Sequence, residues 1–101
     1  PELTTLNFAQ SQSDLIAATE QAIKNLGWEL VSANKSLGLI EATDTTTWFG
    51  FKDDVVVRIV DEGTERFVDI RSKSRVGRSD LGKNAERINT LIDEINAELT
   101  K

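Results

Sequence analysis

The sequence predicts a two-layer α+β domain, on three observations. Residues 81–99 repeat apolar side chains at helical spacing, residues 54–76 alternate apolar and polar in two runs about a glycine-centred turn, and Ser72–Arg87 reads as strand, turn and helix start in succession. A chain of 101 residues has room for one hydrophobic core, and a composition of 39% hydrophobic and 29% charged residues suits a globular domain. The expected architecture is a four-stranded antiparallel sheet with two helices on one face, in the order α-β-β-β-β-α.

Leu3–Phe8 reads as an edge strand or an extended lead-in. A first helix is expected from about Ser13 to Leu26, with Ser13 as N-cap and Asp14 at the positive end of the helix dipole. Ile16, Thr19, Ile23 and Leu26 form its apolar stripe with Ala22 beside them, and Gly27 is its stop. Trp28–Ala33 and Leu39–Thr43 flank the turn-rich Asn34–Gly38 as a first hairpin; Asp54–Val60 and Phe67–Val76 flank Asp61–Glu65 as a second. Alternation places Val55, Val57, Ile59, Val68, Ile70 and Ser72 on the core side, and Val56, Arg58, Val60, Phe67, Asp69, Arg71, Lys73 and Arg75 on the other. In the last helix Leu81, Ala85, Ile88, Ile92, Ile95 and Leu99 form the buried stripe, with Lys83, Glu86, Arg87, Asp93, Glu94 and Glu98 off it and Ser79 as N-cap.

Composition excludes several chemistries. The chain has no cysteine and no histidine, which removes disulfides, thiol nucleophiles, Cys/His zinc sites and imidazole acid–base catalysis. A net charge of −5 argues against nucleic-acid binding. No metal site, cofactor or catalytic constellation is expected, and no stretch approaches the roughly 20 apolar residues of a membrane span.

Two blocks of residues carry a family resemblance. Thr46-Thr47-Trp48-Phe49-Gly50-Phe51-Lys52-Asp53-Asp54-Val55, and Val68-Asp69-Ile70-Arg71-Ser72-Lys73-Ser74-Arg75-Val76-Gly77-Arg78-Ser79-Asp80-Leu81-Gly82 followed by Asn84, resemble the domain of unknown function 1499 family. Gly27-Trp28-Glu29 and Ile40-Glu41-Ala42-Thr43-Asp44 fit the same pattern, so the resemblance spans nearly the whole chain. Other members carry a Cys-containing segment near the start of the domain, which this chain lacks. The chain reads as a single domain over residues 1–101, a segment of a longer protein or a processed form; the resemblance implies a bacterial parent whose N-terminal transmembrane helices tether it to the inner membrane. It implies a place in the cell envelope, on a side left open, and brings no established activity.

Four constellations are candidates for function. The corner Arg75, Gly77, Arg78 and Ser79 offers free backbone N–H groups and two guanidiniums to an anion or lipid headgroup, or serves as a capped structural corner. Trp48 and Phe49, beside Gly50 and Phe51, either close one end of the core or anchor a partner. Arg58, Phe67, Arg71 and Lys73 mark a charged sheet face. With Arg58 opposite Asp69, Asp54 falls opposite Lys73 and Lys52 opposite Arg75; a slide of two places Asp54 opposite Arg71 instead. In either register the face is stitched by cross-strand ion pairs or offers itself to a partner. Asp53 and Asp54, adjacent on a strand, point to opposite faces and do not converge on a metal; charge pairing with Lys52, Lys73 or Arg71 is the simpler expectation. The function expected from these residues is a non-catalytic module binding a protein or envelope component, with anionic-ligand binding at Arg75–Ser79 as the alternative.

Overall fold

The computed structural model describes residues 2–45, 52–74 and 81–101. The chain runs β1 (Glu2–Phe8), α1 (Gln12–Asn25), β2 (Glu29–Asn34), β3 (Leu39–Thr45), β4 (Lys52–Asp61), β5 (Arg66–Ser74) and α2 (Leu81–Leu99). The five strands form one sheet in the order β1-β5-β4-β3-β2, with every neighbouring pair antiparallel. The expectation of four strands is therefore corrected to five, and of the two readings of Leu3–Phe8 it is the edge strand that the structure shows. Glu2–Phe8 pairs along its whole length with β5, from Glu2 opposite Ser72 to Phe8 opposite Arg66. That partner lies about sixty residues further on, so no local pattern announces the pairing.

Both ends of α1 are set by local chemistry. Its N-cap is Ser11, two residues earlier than the expected Ser13: Ser11 is extended (φ −65°, ψ 157°) and its hydroxyl accepts from the Asp14 amide at 3.1 Å. At the other end Gly27 turns left-handed at φ 79°, the Trp28 amide reaches back to the Ile23 carbonyl at 3.1 Å, and the Gly27 amide reaches Lys24 at 3.1 Å. This pair of bonds satisfies the carbonyls of the last turn and aims Trp28 at the core margin. Gly38 plays a different part at the β2–β3 turn. It sits at φ 66°, and a Cβ there would lie 2.3 Å from the Ile59 carbonyl oxygen, so only glycine lets β3 enter beside β4.

The sheet has two unlike faces. Ile40, Ala42, Val55, Val57, Ile59, Val68 and Ile70 are all buried and form one cluster with Leu15, Ile16, Ala22 and Ile23 of α1 and Ile88, Leu91 and Ile95 of α2. The alternation read in β4 and β5 thus holds residue by residue. The last helix departs from its expected stripe. Ile92 and Leu99 only pack at the margin, while Asn84, Arg87 and Leu91 are buried. Arg87, expected on the solvent side, is corrected to the interior.

Candidate functional site

Two regions concentrate polar chemistry. The first is a buried polar cluster at one end of the core, centred on Arg87. The inner parity of β4 runs Ile59, Val57, Val55 and then Asp53; that of β3 runs Ile40, Ala42 and then Asp44; that of β5 runs Val68, Ile70 and then Ser72. Each strand therefore ends its apolar row on a polar residue at the same end of the sheet. One turn into α2, Asn84 and Arg87 face them. Arg87 Nη2 donates to Asp53 Oδ2 at 2.6 Å and Nε donates to Asp44 Oδ2 at 2.9 Å. Nη1 donates to Asn84 Oδ1 at 2.9 Å and to Ser72 Oγ at 3.2 Å, while the Ser72 hydroxyl donates to Asn84 Oδ1 at 2.7 Å.

Burial makes this cluster a clamp. The side chains of Arg87 and Asp53 are 5% and 9% exposed, and Asp44 opens to solvent at 28%. A guanidinium removed from water is stable only with its donors matched, and here each of its three nitrogens has an acceptor. One group is left over: Asn84 Nδ2 is buried without a hydrogen-bond partner among the described residues. The groove outside, about 300 Å³ and lined in part by Leu26, Trp28, Asp44 and Lys83, reaches Arg87 from its solvent side. A ligand entering there would have to displace a carboxylate to reach the guanidinium, so the cluster fixes structure rather than captures anions.

What it fixes follows from chain order. Asp44 and Asp53 bracket residues 46–51 in sequence; Ser72 and Asn84 bracket residues 75–80. Arg87 therefore ties the strand ends and the helix start that flank both stretches. Trp48 and Phe49, like Arg75, Gly77, Arg78 and Ser79, lie outside the described residues. The two ends of the Ser72–Arg87 signature do meet, at 3.2 Å.

The second region is the outer sheet face. Arg58, Phe67, Arg71 and Lys73 all lie on it, with Phe67 half-buried and the three cations exposed. The observed register sets Arg58 opposite Asp69 and Asp54 opposite Lys73, the first of the two expected registers. Asp53 and Asp54 point to opposite faces as their adjacency requires, but the partner of Asp53 is Arg87 and not a neighbouring strand cation.

The expected stitching by ion pairs is absent among the described residues. Asp69 Oδ1 accepts from the Thr5 hydroxyl at 2.7 Å, Glu41 Oε2 from Ser32 at 2.8 Å and Asp54 Oδ1 from Thr43 at 3.3 Å. Among the described residues, no hydrogen bond or ion pair engages the side chains of Arg58, Arg71 or Lys73. Between them a depression of about 140 Å³ is lined by Leu39, Val56, Arg58, Asp69 and Arg71. The face thus presents unpaired cations beside apolar surface, while three of its carboxylates are occupied by hydroxyls.

Sequence reasoning missed the Arg87 cluster although its signal was present. A polar residue at core parity, such as Ser72 after Val68 and Ile70 or Asp53 before Val55, needs an internal partner. Among the described residues, no group of three or more His, Cys, Asp or Glu is placed to hold a metal ion, and no helix is long and apolar enough to cross a membrane. No curated protein matches the chain. The family model described as protein of unknown function (DUF1499) matches residues 1–95, and with its two motif blocks converging on Arg87, the chain belongs to that family.

Proposed function

We propose that this domain is a non-catalytic interaction module, the soluble end of a membrane-tethered protein of the bacterial envelope, and that its working surface is the outer face of the sheet. The observation that carries this reading is the imbalance on that face. Arg58, Arg71 and Lys73 have no partner among the described residues, whereas Asp69, Glu41 and Asp54 accept from neighbouring hydroxyls. Half-buried Val56, Val60 and Phe67 supply apolar contact area among the charges. A domain that needed this face only for solubility would gain as much from pairing its charges across strands.

The case against catalysis rests on the side chains present. Without His or Cys, acid–base or nucleophilic work falls to carboxylates, Lys, Arg and hydroxyls. Among the described residues the most buried carboxylate, Asp53, is committed to Arg87. The tether and the envelope location rest on the family resemblance.

The test is site-specific photo-crosslinking of the full-length protein in its own membrane. A crosslinker at Val56 is expected to give discrete adducts, and one at Asp93 on the exposed side of α2 to give none. Equal labelling from both positions, or none from Val56, contradicts the reading.

A further inference from the structure

The geometry points to a specific partner chemistry for the outer sheet face: an acidic protein segment in extended conformation, with carboxylates at alternate positions. This rests on the reading of that face as the working surface. Arg71 lies opposite Val56 and Arg58 opposite Asp69, so the two arginines are diagonal neighbours on β5 and β4. Diagonal positions on adjacent strands are about 7–8 Å apart. Residues i and i+2 of an extended chain are spaced by about 6.5–7 Å on one face. An extended segment thus offers two carboxylates at the spacing of the two arginine positions, and each guanidinium takes a carboxylate through paired N–H donors. The residues that line the depression between the arginines, Leu39 and Val56, give the segment an apolar seat.

The carboxylates on the face select the class of polymer. Asp54, Asp69 and Glu41 alternate with Arg58, Arg71 and Lys73 across β3, β4 and β5. A continuous polyanion, whether a phosphate backbone or an anionic bilayer, would meet a like charge beside each cation. A protein segment escapes this because it places acids opposite the arginines and neutral or donor side chains opposite the aspartates.

The test is an NMR titration of the 101-residue chain with a synthetic peptide of alternating glutamate and valine. Amide and guanidinium shifts are expected at Val56, Arg58, Asp69 and Arg71, with the glutamine–valine peptide inert. Arg58→Gln and Arg71→Gln are each expected to weaken binding about tenfold at low salt, the loss of one charge-assisted contact. Both positions are exposed, so the variants should stay folded, which the retained spectrum checks. Equal binding of the glutamine peptide, unchanged affinity in both variants, or binding of oligouridylate or phosphatidylglycerol vesicles at these residues in place of the peptide would overturn the inference. The crosslink from Val56 separates the two levels. If adducts persist undiminished in the Arg58→Gln/Arg71→Gln protein, the acidic partner is refuted and the working face stands; if Val56 gives no adduct, the face itself is refuted.

Discussion

Arg87 and the pair Arg58 and Arg71 are the same residue type used in opposite ways. Arg87 is buried, with Asp53 at 2.6 Å, Asp44 at 2.9 Å and two neutral oxygens on Nη1, so that each of its three nitrogens has an acceptor. Arg58 faces Asp69 across a strand pair, yet Asp69 is taken by Thr5 and the guanidinium stays open. A charge that holds a fold together is desolvated and saturated. One that is available for recognition is exposed, unsaturated and flanked by acids already occupied.

That contrast can be broken most sharply at Arg87. Arg87→Met leaves Asp53 buried without its cation, and removing one partner of such a pair costs about 3–5 kcal/mol. Chemical denaturation should show a loss of that size. Arg87→Lys should recover only part of it, because an ammonium cannot span Asp53, Asp44 and Asn84 as the planar fork does.

Asn84→Ala is a smaller insult to the same cluster. It deletes the oxygen that accepts from both Ser72 and Arg87, together with the unpartnered Nδ2. The expected destabilisation is about 1–3 kcal/mol, the cost of stranding buried donors offset by removal of the orphan amide. A larger loss than at Arg87→Met would mean that the asparagine, and not the guanidinium, organises the cluster.

On the outer face, Arg58→Gln and Arg71→Gln should each leave stability within about 0.5 kcal/mol of the parent, as exposed substitutions without partners do. The same denaturation curves check it. The smallest effect belongs to a pair at the end of α2, in which Lys101 is exposed and Glu98 half-buried. The Lys101 ammonium, 2.7 Å from Glu98 Oε2, holds the Glu98 carboxyl below its ordinary range, with Asn25 as a second donor. A carboxyl lowered in the folded state stabilises above its unfolded pKa, and this contribution fades as pH falls through the folded value. NMR titration should therefore find Glu98 protonating later on acidification than an unpaired glutamate, and Lys101→Ala should move its midpoint upward.

Much of the sheet was legible in sequence because its determinants are local. Val55, Val57, Ile59, Val68 and Ile70 alternate without exception, the Gly63 turn places the hairpin, and of the two registers this leaves open the one with Arg58 opposite Asp69 is observed. The Gly27 helix stop is equally local. What could not be read depends on distant partners. Leu3–Phe8 reads as an edge strand or a lead-in, but its pairing with β5 far along the chain does not, and it is β1 that supplies the Thr5 hydroxyl taking Asp69 away from Arg58. The same non-locality hides Arg87: helical spacing scores an arginine as solvent-facing, and only the tertiary approach of Asp44 and Asp53 makes its burial tolerable. The outer-face candidates Arg58, Phe67, Arg71 and Lys73 were placed correctly by parity, while their lack of ion pairing was set by hydroxyls from other strands.

The most direct measurement is a pair of double-mutant cycles by urea denaturation, one on Arg87 and Asp53 and one on Arg58 and Asp69. Coupling energies between contacting residues run from about 0.5 to 3 kcal/mol. The clamp should lie near the top of that range, and the outer pair should show a coupling below about 0.3 kcal/mol. A coupling between Arg58 and Asp69 as large as that between Arg87 and Asp53 would mean that this pair stitches the outer face and that Arg58 is not free for a partner.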